Sequence, residues 1–273
     1  MPAISLEFFP PKTDRQVAQF ERALPQLAAL SPDYASVTFG AGGSTLSYTP
    51  KTVKALADVG LDTAPHISCM GGTRAEIAEL LDHYKTLGCH RVVALRGDMP
   101  SGMASPGDFV YAVDLVRFIR EHSGGHFQIE VACYPEIHPQ AEDALVDIRH
   151  FKAKIDAGAN GAITQYFFNP DAYFRFVDDV TRLGVDTPIV PGIMPISNFS
   201  QLKRFSNTCG AEIPRWIAKR MQAYADDARS IRELGADIVA ALCRRLLEGG
   251  APGLHVYTLS RAQATLAVLD RLD

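Results

Sequence analysis

An α/β fold, a single-domain (β/α)8 TIM barrel, is the class this sequence predicts, and three observations carry it. Strand-like and helix-like segments alternate from one end of the 273 residues to the other. The strand-like segments are continuous apolar runs rather than apolar/polar alternations, as expected when both faces of a parallel sheet are covered. Eight such runs can be counted, and the length suits eight β/α units.

The first run, residues 4–9, is stopped by Pro10-Pro11. The others are residues 34–39, 62–68, 91–95, 128–133, 161–166, 188–193 and 253–257. Between them, apolar residues at helical spacing cover 15–30, 73–87, 109–122, 141–157 and 225–248. Gly60, Gly88, Gly158 and Gly184 close several segments, where a helix C-terminus favours a residue tolerant of positive φ. The stretch 197–250 exceeds one crossover helix and reads as two or three, including 199–207 and 214–224. A doubly wound open sheet is the main competing architecture. No internal repeat, low-complexity tract or linker divides the chain, so one domain spanning 1–273 is expected.

Composition narrows the function classes. With 47% hydrophobic and 21% charged residues the chain can bury a large core. A net charge of −4 with interspersed charges leaves no basic stripe for a nucleic acid backbone. No apolar stretch approaches the roughly 20 residues that span a bilayer, and the N-terminus lacks the basic flank and apolar core of an export signal. A soluble, cytoplasmic protein is the expectation. Cys69, Cys89, Cys133, Cys209 and Cys243 are scattered without a CxxC pair, which suits buried thiols rather than disulfides. His66 and Cys69 have no second ligand pair, so no metal is expected.

In such a barrel, ligands meet the C-terminal ends of the strands. Those ends read Glu7, Thr38, His66, Arg96-Gly97-Asp98, Tyr134 with Glu136 and His138, Gln165, Met194-Pro195 with Ser197-Asn198, and Thr258 with Arg261. Glu7 is the most informative, because a carboxylate inside an apolar run either points outward, finds a partner or takes up a proton. At residues 92–98 an apolar strand runs straight into a cation, a glycine and an anion, and glycine admits close approach of a flat ligand; an Arg96–Asp98 bridge is the alternative. Gln165 ends another apolar strand as an uncharged amide, or stands as a surface glutamine. The glycine cluster at 39–45 fails GxGxxG at Thr45, so a Rossmann fingerprint is not supported.

In order along the chain stand Ser5-Leu6-Glu7-Phe8-Phe9-Pro10-Pro11-Lys12, Val37-Thr38-Phe39-Gly40, Ala64-Pro65-His66-Ile67, Leu95-Arg96-Gly97-Asp98, Ala132-Cys133-Tyr134-Pro135-Glu136-Ile137-His138-Pro139, Asp156-Ala157-Gly158-Ala159, Ile163-Thr164-Gln165-Tyr166-Phe167-Phe168, Pro191-Gly192-Ile193-Met194-Pro195 and Tyr257-Thr258-Leu259-Ser260-Arg261. Together, over almost the whole chain, these motifs resemble the methylenetetrahydrofolate reductase family of bacterial type, catalytic domain only. The loops at 40–45 and 99–108 depart from the family pattern.

The resemblance implies a flavin-carrying barrel and a ping-pong relay in which NAD(P)H reduces FAD and leaves. 5,10-Methylenetetrahydrofolate then takes the hydride and becomes 5-methyltetrahydrofolate. It implies two catalytic residues, Glu7 as the general acid toward folate N10, still protonated near neutral pH, and Asp98 beside the pterin and the flavin. FAD contacts are implied at Thr38, His66, Arg96, Gly97, Asp98, Tyr111, Ala112, Tyr134, His138, Asp147 and Lys154, with Lys154 at the pyrophosphate. Folate contacts are implied at Glu7, Asp98, Gln165, Gln201, Phe205 and Arg261, with Gln165 also serving the nicotinamide. By their own surroundings, Lys154 and Asp147 read as solvated helix charges, and Tyr111, Phe205 and His138 as packing or surface residues. A homo-oligomer is the expected assembly, and no ribose-reading motif separates NADH from NADPH. Three other readings stay open: a proline dehydrogenase-like flavin barrel, a folate barrel transferring methyl to a corrinoid, and a binding module without turnover.

Overall fold

The computed structural model describes residues 2–39, 48–69, 71–97, 107–224 and 227–272. Asp98 and the 40–45 loop lie outside the described residues, as does most of the 99–108 loop. The strands are β1 (Ile4–Phe8), β2 (Tyr34–Val37), β3 (Thr63–Ser68), β4 (Arg91–Leu95), β5 (Gln128–Cys133), β6 (Gly161–Thr164), β7 (Ile189–Val190), β8 (Gly192–Ile193) and β9 (Leu254–Tyr257). They form one sheet in the order β7-β6-β5-β4-β3-β2-β1-β9-β8, with every pairing parallel.

β7 pairs with β6 and β8 pairs with β9, and only Pro191 separates β7 from β8. The two are halves of the apolar run at 188–193. Proline has no N–H to give to a ladder, but its carbonyl still accepts from the His255 amide at 3.0 Å. The eight expected strands thus make a nearly closed barrel whose seventh is interrupted at a proline.

The helices are α1 (Asp14–Ala28), α2 (Tyr48–Asp58), α3 (Arg74–Thr86), α4 (Ala112–Ser123), α5 (Ala144–Asp156), α6 (Pro170–Arg182), α7 (Phe199–Cys209), α8 (Arg215–Ala223), α9 (Ala228–Glu248) and α10 (Ala262–Leu269). α2, α6 and α10 are not among the segments singled out from periodicity; α7, α8 and α9 fill the long 197–250 stretch as expected. Local chemistry sets the starts. Thr13 with Gln16, and Thr73 with Glu76, form reciprocal capping boxes, and Asn169 caps α6 with Pro170 at its first turn. Gly60, Gly88, Gly158 and Gly184 all take positive φ after a helix, as their positions require.

Two expected strands run shorter than their apolar runs because side chains take over the backbone. The Phe9 amide and carbonyl both bond the Ser260 hydroxyl, and the Tyr166 amide bonds the Gln165 side chain. Most of the core lies between strands and helices, while a second, smaller cluster of Tyr34, Ala64, Val93 and Ile163 fills the barrel interior. Among the described residues no helix is long and apolar enough to cross a membrane.

Candidate active site at the mouth of the barrel

Alternation along parallel strands sends every second side chain into the barrel. On β1 these are Ser5 and Glu7, and on β9 His255 and Tyr257, with Ser5 registered on His255 and Glu7 on Tyr257. Glu7 is 6% exposed, so it does not point outward from a half-buried strand. Two imidazoles from either side of β1 approach the same oxygen, Oε2: His66 Nε2 of β3, two strands away, at 3.5 Å and His255 Nε2 of the adjacent β9 at 3.8 Å. Among the described residues, these are its only ion-pair partners.

His66 is 6% exposed, and burial pulls its ring down to about 4, against which the Glu7 charge works. It is therefore neutral near pH 7 and gives Glu7 no fixed cation. Its Nε2 is buried and makes no hydrogen bond among the described residues. Tyr257 donates to the Thr164 carbonyl at 2.6 Å, and burial, then the Glu7 charge, hold its phenol well above the usual range. Thr258 donates to the Glu7 carbonyl at 2.6 Å, tying the end of β1 to the loop after β9. That loop is pinned from outside by Gln19, whose amide bonds the Ser260 carbonyl at 3.1 Å.

The lowered His66 value has a consequence for stability. A histidine held neutral by folding contributes stability that is present above its unfolded value of about 6.5 and is lost as pH falls toward 4. We expect on the order of 3 kcal/mol to be lost across that window, since each tenfold change in proton affinity is worth roughly 1.4 kcal/mol. Denaturant midpoints measured from pH 7 to 4 check this: His66→Gln should flatten the curve, and an unchanged slope would refute it.

The other expected site residues that the structure describes lie on the loops and helices that follow the strands. Thr38 follows β2, and its carbonyl accepts from the Thr49 hydroxyl at 3.1 Å. Arg96 and Gly97 follow β4; the Arg96 guanidinium bonds the Gln140 side chain, and Gly97 takes φ 78°. Tyr134 and His138 follow β5, their rings edge to face at 4.5 Å. Asp147 accepts from the His138 amide at 2.8 Å, so it secures that loop instead of standing free on α5. Lys154 also departs from the reading as a solvated charge: its ammonium donates to the Ala132 carbonyl at 2.5 Å, and burial lowers it. Tyr111 and Ala112 open α4, with the Tyr111 ring exposed and 6.3 Å from His150. Gln165 follows β6, Gln201 and Phe205 lie on α7, and Arg261 precedes α10.

Sequence reasoning missed His255, Ser5, Ser36 and Tyr257. The signal was available as the two-residue spacing Ser5-x-Glu7 and His255-x-Tyr257, but a histidine in an apolar strand is silent until its neighbours across the barrel are known.

Known proteins bear on this geometry. The family model described as methylenetetrahydrofolate reductase matches residues 1–273. The 5,10-methylenetetrahydrofolate reductase of Escherichia coli K12 is 39% identical over 270 residues, covering 98% of this chain and 90% of that protein. Methylenetetrahydrofolate reductase (NADH) 1 of Zea mays is 34% identical over 99% of this chain and 48% of its own length. An uncharacterized Clostridium thermocellum protein that binds two copies of 5-methyl-5,6,7,8-tetrahydrofolic acid superposes with a TM-score of 0.69 at 17% identity, covering 99% of this chain and 95% of that one, a likeness of fold. By its motifs, its barrel and the match along its whole length, the chain belongs to the methylenetetrahydrofolate reductase family.

Proposed function

We propose that the protein reduces 5,10-methylenetetrahydrofolate to 5-methyltetrahydrofolate, with NAD(P)H as hydride donor and FAD as resident redox group. The observation that carries the reading is a buried carboxyl at the barrel mouth with two imidazoles on one oxygen and, among the described residues, no fixed cation paired with it.

The residues present fit a flat cofactor with an anionic linker. His66 offers a buried ring nitrogen without a hydrogen bond among the described residues, and Gly97 takes a positive φ where the backbone would approach a ring system. Arg96, directly after β4, is a cation suited to a pyrophosphate; Lys154 would reach one only by leaving the Ala132 carbonyl, and Tyr111 presents an exposed ring. Thr38, Ala112, Tyr134, His138 and Asp147 complete the set of residues that would hold it. When bound, FAD supplies hydride acceptance and delivery.

The chain's own residues do the rest. Glu7 gives its proton to folate N10; the N10–methylene bond breaks, its electron pair stays on nitrogen, and the methylene remains on N5 as an iminium ready for hydride. Gln165 orients the folate and, in the other half-reaction, the nicotinamide; Gln201, Phe205 and Arg261 extend the folate contact. Asp98 keeps the role the resemblance implies, beside the pterin. The test is the absorption spectrum of the purified protein. A yellow protein bleached by NADH whose colour returns with methylenetetrahydrofolate supports the reading; a colourless protein that FAD cannot reconstitute defeats it.

A further inference from the structure

His255 is fully buried, on β9, and no step of the proposed reaction uses it. Its Nδ1 lies 2.7 Å from the Ser5 hydroxyl. Its Nε2 lies 3.5 Å from the Ser36 hydroxyl and 3.8 Å from Glu7 Oε2. Tyr34 stacks on the ring at 6.1 Å, and its hydroxyl interacts with Ser5. The imidazole therefore has one nitrogen against a single hydroxyl and the other between two acceptors, one of them the carboxyl assigned as the acid. A serine hydroxyl that donates to Nδ1 leaves the ring proton on Nε2, where both acceptors are.

We propose that His255 is the positioning residue of Glu7: Ser5 holds it in the Nε2–H tautomer, and that N–H steadies Oε2, so that the transferable proton resides on and leaves from Oε1. The proposal rests on Glu7 acting as the acid. When Glu7 gives its proton to folate N10, the charge left on the carboxylate falls on an oxygen that already faces a donor, which lowers the barrier to the transfer. The other charged or titratable groups around His255 do not supply this. His66 on β3 is neutral, Tyr34 on β2 and Tyr257 on β9 are held as neutral phenols by burial, and Glu130 on β5 is paired with Arg91 on β4.

Nitrogen-15 NMR of imidazole-labelled protein as purified, without added folate, reads the tautomer directly. A protonated Nε2 and bare Nδ1 at His255, exchanged or blurred in Ser5→Ala, is the expected result; a protonated Nδ1 in the unaltered protein overturns the proposal. Rapid-mixing kinetics supply the second readout. His255→Phe should slow the folate half-reaction by roughly 10- to 100-fold, within the range a positioned acid contributes, and displace its pH profile. His255→Gln, which keeps an N–H near the Nε2 position, should recover most of that rate. Equal rates for the two variants, or a pH profile that stays put, would overturn it. If the unaltered protein reduces no folate, the proposed reaction fails while the tautomer measurement still reports on Ser5 and His255.

Discussion

If the proposed reaction holds, Glu7→Gln slows reduction of methylenetetrahydrofolate by roughly 10²–10⁴-fold, the usual worth of a positioned acid, and leaves the proposed reduction of FAD by NAD(P)H nearly intact. That is the expected result, and its asymmetry is the informative part. Glutamine has the shape of glutamate and keeps a carbonyl oxygen for the two imidazoles that meet Oε2, so packing at a 6%-exposed position changes little. What it lacks is an acidic proton. Hydride transfer from a nicotinamide to a flavin needs none from this side chain, whereas opening the folate ring at N10 does. Stopped-flow absorbance at the flavin band separates the two half-reactions, and an equal loss in both would remove Glu7 from the acid role.

Arg91→Met destabilises the barrel by about 3 kcal/mol, because removing one partner of a buried pair leaves an uncompensated charge. For a domain of this size that is a fall in Tm of roughly 6–12 °C. Arg91 on β4 bonds the Glu130 carboxylate on β5 and lies 4.5 Å over the Tyr34 ring, and Glu130 is 6% exposed. The pair fits only because Gly161 on the next strand has no side chain: a Cβ there would run into the Glu130 carboxyl. Burial raises Glu130 above the usual carboxylate range, and Arg91 is the main influence opposing that rise.

A carboxyl raised by folding loses stability as pH rises through its folded value, and without Arg91 that value climbs further. The deficit of the variant is therefore largest near neutral pH and shrinks as both proteins are taken below about 4.3, the ordinary glutamate value. Thermal melts of the two proteins across that range check the sign. Adding Glu130→Gln to Arg91→Met should recover much of the loss, and a deficit independent of pH would contradict the charge argument.

Local patterns made the architecture legible. Continuous apolar runs located all eight barrel strands, and the glycines at 60, 88, 158 and 184 marked helix ends that do take positive φ. Strand ends were overextended where the next residue was also aromatic. Phe9 and Tyr166 look like strand from composition, and only the hydroxyl of Ser260 and the amide of Gln165 show where the ladder stops. The break at Pro191 was likewise hidden inside an apolar run that reads as one strand.

The site divides along the same line. Its rim was readable because a polar residue ending an apolar strand is a local event: Glu7, His66, Arg96 and Gln165 each announce themselves within a few positions. Its interior was not. Ser5 and His255 are 250 residues apart, and their 2.7 Å contact exists only because the sheet closes and sets β9 beside β1. Packing of α5 on its own strand β5 likewise turned Lys154 from an outward helix charge into a donor to the Ala132 carbonyl. Sequence alone determined the alternation of elements, the family motifs and which residue types reach the mouth, because those depend on neighbours along the chain. Which oxygen of Glu7 meets two imidazoles, and that a neutral ring rather than a cation lies beside it, was decided by tertiary structure, because burial and distance across a barrel arise from strands far apart in the chain.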